Sequence, residues 1–328
     1  MKISVVSEFR AGYSVGLEQS YARAFQRLGH STTRHATPSS KTRIKGLQQV
    51  VELSTCLREQ DALRREVLAA SPDLVVVIKG VGILGRTVAT WRAQGIRVVN
   101  VFPDNPFDAA GTNLVGRTLL GQFREVDTVF VHDRFAAGQL RQLGIPAEFI
   151  AFARDPEIHC IDSAPPSSPA NPIVFIGNPD SERIRFLRAV QDLGLGLYGN
   201  WQWAGLAPDD PLMRCVQGGV QLGSDMVRVM RSARMSINIL RRSQKTAHNM
   251  RTFETPACGV CSLSEDSVGV QEVIGSDTAA FFGTPAELRA VAMDLLKCPS
   301  EIDSLAERGL SMVARETYLE RAKFILDS

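Results

Sequence analysis

The chain has no hydrophobic run long enough to cross a bilayer. Its longest apolar stretches, Leu74–Ile78 and Arg97–Phe102, are strand-sized, whereas a spanning helix needs about 20 apolar residues. The opening Met1-Lys2-Ile3-Ser4-Val5-Val6-Ser7 meets Glu8 and Arg10 at once. It lacks the apolar core of a secretory signal and reads as the first strand of a cytoplasmic protein. Cysteine is scarce, with six in 328 residues, too few for a disulfide scaffold. Cys258 and Cys261 alone have C-x-x-C spacing, with no second pair and no histidine at zinc-finger distance. Small buried residues around a turn are the simpler reading than a metal or redox site. Charge of one sign is missing too. The 37 Lys+Arg against 35 Asp+Glu leave +2, which argues against a nucleic-acid binder that tracks phosphates. The 44% hydrophobic and 22% charged residues are a globular balance, and the length favours two domains.

Strand and helix signals alternate. Ile3–Ser7, Leu74–Ile78, Ile96–Phe102 and Thr128–Val131 read as strands, and Val15–Leu28, Gly46–Ala69, Leu84–Ala93 and Arg134–Leu143 as helices. The first helix places Leu17, Tyr21, Ala24, Phe25 and Leu28 at helical spacing. The aliphatic run Leu74–Ile78, bounded by Pro72 and Gly80, suits a strand covered on both faces, as in parallel sheets. Ser163-Ala164-Pro165-Pro166-Ser167-Ser168-Pro169 has linker composition. Beyond it, 173–177, 195–199, 235–240, 260–264 and 279–282 read as strands. Helices are expected at 182–193, 224–233, 250–257, 270–274 and 285–297, with a closing helix over Glu301–Leu326. Such alternation implies right-handed βαβ units. The expected fold is α/β, with two doubly wound Rossmann-like domains facing across a cleft. Their bounds are 1–160 and 161–310, and a C-terminal helix over 311–328 could pack back on the N-terminal domain.

In open α/β sheets, ligands bind beyond the carboxyl ends of strands, near helix starts. In the first half, the polar residues so placed are the Gly12–Gly16 loop, Lys79-Gly80, Asp104-Asn105-Pro106 and His132-Asp133. Asp104 either meets an acceptor hydroxyl as a base or begins a turn. His132-Asp133 either orients substrate or caps the next helix through Asp133. In the second half the richest cluster is His248-Asn249-Met250-Arg251-Thr252-Phe253-Glu254, ahead of Cys258-Gly259. Backbone N–H groups and a guanidinium at a helix start suit a diphosphate, and a carboxylate one turn in can accept both hydroxyls of a ribose. The plain alternative is a helix with Asn249 as N-cap and Glu254 favouring the dipole. The basic residues Arg231, Arg234, Arg241, Arg242 and Lys245 are either a contact for an anionic acceptor or membrane surface, or a solvated face.

The string Asn249-x-Arg251-x-Phe253-Glu254-x-x-Ala257-Cys258-Gly259, followed by a strand, Glu265-Asp266 and Glu272, resembles the donor module of GT-B glycosyltransferases. More narrowly it resembles the CgeB-like (spore-maturation-type) group, related to the retaining glycosyltransferases. Phe175-Ile176-Gly177 with Arg183, Met235–Arg241 and Thr317–Arg321 are similar to flanking parts of that module. The resemblance spans roughly 172–328 and touches the first half only by general layout. It implies a nucleoside-diphosphate sugar held mainly by the C-terminal domain and an unidentified acceptor held mainly by the N-terminal one. Glu254 would take the ribose. Arg251, with Asn249, Met250, Phe253 and the helix start, would take the diphosphate. Arg183 and Arg241 would be secondary phosphate contacts, Tyr198–Trp201 (with Asn200) would border the base, and Gly12 would let backbone approach the donor. Asp104 and His132 are the catalytic candidates. Many retaining relatives carry Glu eight residues before the ribose-binding Glu, where this chain has Thr246; His248 or Asn249 could substitute.

Without a clustered set of Asp or His ligands, arginines and helix-start amides are the expected source of charge for the leaving diphosphate, with no metal and no resident cofactor. Nucleic acid is not expected as a partner. Two alternatives remain: a sugar-nucleotide epimerase on the same scaffold, and a non-catalytic two-lobed nucleotide- or solute-binding protein.

Overall fold

A computed structural model describes residues 1–9, 16–37, 48–112, 115–161 and 171–328. The chain divides into two compact units, one of Met1–Ala151 with Arg321–Ser328, the other of Phe152–Glu320. The division falls between Ala151 and Phe152, ahead of the expected linker, whose Ser163–Pro169 lies outside the described residues. Gly12 and Pro38–Lys41 lie outside them as well.

The first unit is built on six parallel strands: β1 (Lys2–Ser7), β2 (Ser31–Ala36), β3 (Leu74–Ile78), β4 (Arg97–Phe102), β5 (Thr128–Val131) and β6 (Ala147–Phe149). They run in the order β2-β1-β3-β4-β5-β6. The helices between them are α1 (Leu17–Arg27), α2 (Gln48–Ala70), α3 (Gly85–Arg92), α4 (Pro106–Thr112), α5 (Leu119–Phe123) and α6 (Arg134–Gln142). All five residues of β3 are buried, and Val76 lies in register with Val5 on one side and Val99 on the other. Such a strand gains burial on both faces. Trp91, Phe102 and Phe123 close the core, the two phenylalanines meeting edge to face at 5.5 Å.

The second unit repeats the plan with β7 (Ile173–Ile176), β8 (Leu195–Tyr198), β9 (Val216–Gly218), β10 (Met235–Asn238), β11 (Cys261–Glu265) and β12 (Ala280–Phe282). The order is β12-β11-β10-β7-β8-β9. Its helices are α7 (Ser181–Arg188), α8 (Gly223–Arg231), α9 (Arg251–Ala257), α10 (Val268–Ile274), α11 (Pro285–Lys297), α12 (Pro299–Val313) and the start of α13 (Tyr318–Asp327). Gly199 has φ +145, and a Cβ there would sit 2.2 Å from the Gly177 carbonyl oxygen. That close approach brings the loops after β7 and β8 together, and only glycine allows it.

Three strands were not expected: β2, β6 and β9. All are edge strands. The exposed Ser31-Thr32-Thr33-Arg34 carries no buried aliphatic signal. The closing helix is also two helices, α12 and α13. Arg154 interrupts them: its N–H donates to the Glu316 carbonyl at 2.9 Å and its carbonyl accepts from the Tyr318 N–H at 3.2 Å. In the first unit, Arg97 donates to the carbonyls of Ile325, Leu326 and Ser328, which ties the chain end to β4.

Asp133 caps α6, its carboxylate accepting from the Phe135 N–H at 2.8 Å. Asp133→Ala is expected to lower stability by about 1 kcal/mol. Urea denaturation of the two proteins checks this through the midpoint at unchanged slope.

Candidate functional site

In the second unit the carboxyl ends of β7, β10 and β11 and the start of α9 collect the polar residues. Asn238, the last residue of β10, is buried. Its Nδ2 donates to Thr252 Oγ1 at 3.3 Å and its Oδ1 accepts from Asn249 Nδ2 at 2.7 Å. Asn249 Oδ1 in turn accepts from the Thr252 N–H at 3.2 Å. Asn249 therefore caps α9, and the cap is bolted to the sheet.

That network corrects one expectation. Three of the helix-start amides are already engaged: the Phe253 and Glu254 N–H groups both donate to the Met250 carbonyl at 3.0 Å, and Asn249 holds that of Thr252. Those three are not free for a diphosphate. Phe253 is corrected as well. Its side chain is fully buried and meets the His248 ring edge to face at 5.6 Å, so it packs the interior. His248 accepts the Phe152 N–H on Nε2 at 3.0 Å and staples the entry of the unit. Met250 is half-buried and serves α9 through its backbone.

Glu254 is 3% exposed. One carboxylate oxygen, Oε2, is paired with the Arg251 guanidinium, one turn earlier on α9. The other, Oε1, faces His159 Nε2 at 3.7 Å. Arg251 is the outer member of the pair, with 23% of its side chain exposed. Glu254 thus sits beneath Arg251 instead of standing free at the surface.

In the same unit opens a cavity of about 840 Å³ lined by Asn178–Arg183, Arg185, Arg241 and Arg242. Arg183 is anchored by donation to the Asn178 and Ile239 carbonyls at 3.0 and 3.1 Å. Burial lowers its pKa below the usual guanidinium value; Asp180 opposes that, while Arg241 and Arg251 add to it. The three guanidinium groups thus share one local field. Arg241 and Arg242 are exposed. Asp180 caps α7, accepting from the Glu182 and Arg183 N–H groups at 3.1 and 2.9 Å. Lys245 lies between Glu265, with which it makes a short contact, and Glu182 at 3.3 Å.

The basic residues of 231–245 do not form one face. Arg231 is buried and donates to the Cys258 carbonyl at 2.6 Å, and Arg234 pairs with Asp303 at 2.6 Å. Tyr198 ends β8 and packs with Ile176, Met226 and Met230. The Asn200 N–H meets Asn178 Oδ1 at 3.4 Å, at the cavity rim. Trp201, expected near a base, is fully buried against Phe175. Cys258 and Cys261 are buried, and burial pushes both thiols up to about 12, so neither is a thiolate at neutral pH.

In the first unit the loops after β3 and β4 meet. Lys79 Nζ pairs with Asp104 at 3.0 Å, both side chains about two-fifths exposed. Asn105, not Asp104, makes the turn, accepting from the Phe107 N–H at 2.9 Å. His132 is buried and its Nδ1–H donates to the Ile150 carbonyl at 2.6 Å. Burial is the main cause of a pKa lowered to about 3, which suits a neutral orienting group and not a base that gains a proton near pH 7.

The glycosyl transferase-like family model matches residues 183–327. No curated protein matches the chain. Among solved structures, the chain is similar to trehalose-6-phosphate synthase OtsA of E. coli bound with UDP-2-fluoro glucose, at 13% identity and a TM-score of 0.69, covering 100% of this chain and 98% of that one. It is similar to Anabaena HepE in complex with UDP and glucose, at 11% identity and 0.67, with 100% and 98% covered. It is also similar to a Listeria monocytogenes protein named for UDP-N-acetylglucosamine 2-epimerase, at 15% and 0.62, with 99% and 95% covered. The fold is that of GT-B glycosyltransferases. The family match over residues 183–327 and the fold of the whole chain are both of the glycosyltransferase kind. No helix among the described residues is long and apolar enough to cross a membrane.

The neutral state of His132 has a consequence for acid stability. Its folded pKa, about 3, lies below the ordinary 6.5, so the unfolded chain binds the extra proton between those values. Stability from this group is complete above pH 6.5 and is lost as pH falls, by up to about 1.4 kcal/mol per pH unit. Urea midpoints at pH 7, 5 and 4 are expected to fall less steeply for His132→Asn than for the wild type.

Proposed function

We propose that the chain transfers a sugar from a nucleoside-diphosphate sugar to an unidentified acceptor, a cell-envelope glycan, a protein or a small molecule. Within the glycosyltransferase class we place it nearest the CgeB-like group, on the string from Asn249 to Gly259. The observation that carries the reading is the cavity edged by Arg183, Arg241 and Arg242, with Arg251, the partner of Glu254, within the electrostatic field of Arg183. Several guanidinium groups next to one carboxylate match a diphosphate joined to a ribose, since guanidinium forks bind phosphate oxygens and a carboxylate binds hydroxyls.

The donor reaches Glu254 by exchange. The Arg251 guanidinium turns outward from Glu254 to the diphosphate, and ribose hydroxyls replace it on the carboxylate. Neither charge is left unpaired. As the glycosidic bond breaks, negative charge grows on the departing diphosphate, and Arg251, Arg183 and Arg241 neutralise it without a metal. Tyr198 and Asn200 stand on the base side. Asp104, held by Lys79, contacts the acceptor hydroxyl, and His132 orients that region as a neutral ring. Exposed thiols at Cys160 and Cys298 fit a reducing, cytoplasmic setting.

Losing one such transition-state contact costs about 2.7–4 kcal/mol. Arg251→Ala is therefore expected to lower turnover roughly a hundred- to a thousand-fold; turnover within tenfold of wild type contradicts the phosphate role. A panel of nucleoside diphosphates is expected to raise the melting temperature of the wild type and to leave Glu254→Ala unmoved. The similarity to an epimerase supports a second reading. Isomerised sugar nucleotide formed from donor alone, with no acceptor, decides for it.

A further inference from the structure

His159 lies outside every motif of the sequence, yet it faces the carboxylate at the centre of the site. The segment Asp155-Pro156-Glu157-Ile158-His159 is a closed turn. The Ile158 and His159 N–H groups donate to the Asp155 carbonyl at 3.1 and 2.8 Å, and the Glu157 N–H donates to Asp155 Oδ1 at 3.0 Å. In return, the Asp155 N–H donates to His159 Nδ1 at 3.0 Å.

That last bond assigns the tautomer. Nδ1 accepts, so a neutral ring carries its proton on Nε2. A doubly protonated ring would aim Nδ1–H at the Asp155 N–H. Burial also lowers the His159 pKa, outweighing the opposing effect of Glu254. Nε2–H has no hydrogen-bond partner among the described residues. What it faces is Glu254 Oε1 at 3.7 Å, both side chains being 4% exposed. At that distance the contact is electrostatic.

We propose that His159 is a positioning residue that fixes the Glu254 carboxylate for the ribose hydroxyls of a nucleoside diphosphate. The proposal rests on the donor reading above. An ionised carboxylate offers about four lone-pair directions. Arg251 holds one oxygen only until it turns to the phosphates. His159 holds the other throughout, from a different segment of the chain. As a neutral donor it orients Glu254 without neutralising it, so the carboxylate stays a strong acceptor for two hydroxyls. A lysine or arginine in its place would compete for the same charge.

The test is calorimetric binding of UDP, GDP and ADP, each against its 2′,3′-dideoxy form, to the wild type, His159→Leu and His159→Gln. The wild type is expected to prefer at least one ribose form by about tenfold or more, the size of losing hydrogen bonds to a charged acceptor. In His159→Leu that preference falls to within about threefold, because ribose affinity drops while dideoxy affinity holds; Gln, which keeps an N–H, restores part of it. A wild type that prefers ribose alongside an equally selective His159→Leu overturns the role of His159 and leaves the donor reading standing. A wild type that binds none of the nucleotides, or makes no distinction, overturns both. Should the leucine variant not fold, nitrogen-15 spectra of the wild type decide, since it has five histidines. A neutral Nε2–H ring whose resonance moves with the ribose form and not the dideoxy form supports the role. A charged ring, or one indifferent to the sugar, contradicts it.

Discussion

The second unit is organised around a carboxylate that water barely reaches. An isolated buried charge of this kind costs several kcal/mol, so Glu254 needs its partners wherever the chain folds. Arg251 is supplied by the same helix, three residues earlier, where side chains share a face. His159 comes from a separate turn. The pairing requires α9 to start at one place and to lie at one depth. Its start is set by Asn238 and Asn249. Its depth is set from the other side by Gly309 on α12, where a Cβ would press on Pro256 and the Thr278 carbonyl at 3.0 and 3.1 Å.

The two sheets divide their chemistry accordingly. In the first unit β3 is wholly aliphatic, and β4 buries Val98, Val99, Val101 and Phe102 as core beside one polar residue, Asn100. In the second unit β10 and β11 bury Ser236, Asn238, Ser262 and Ser264. Asn238 and Ser264 join the capping network of α9. Glu265 holds the Leu240 N–H at 2.9 Å and contacts Lys245. Hydrogen bonding inside a sheet gives up apolar burial and gains fixed geometry at the strand ends, where the arginines project.

Much of the fold was legible because buried parallel strands are aliphatic runs and helices carry a 3.6-residue period. Leu74–Ile78 and Arg134–Leu143 show both. The edge strands β2, β6 and β9 were not, since a strand paired on one side needs no such run. The break between α12 and α13 depends on Arg154, about 160 residues away in sequence, which no local pattern carries. At the site, the cluster from Asn249 to Glu254 stood out by residue type and spacing. What each member does depended on burial. Phe253 and His248 are interior, three of the amides are already bonded, and Glu254 lies under Arg251. His159 gave no signal, because its meaning comes only from the turn that folds it toward Glu254.

The proposed donor site turns on an exchange of partners at one carboxylate. A crystal structure of the chain with UDP tests it most directly. The expected complex has the Arg251 guanidinium on the diphosphate, both ribose hydroxyls on Glu254, and His159 still facing the far oxygen. A nucleotide bound elsewhere while Arg251 stays on Glu254 would contradict it.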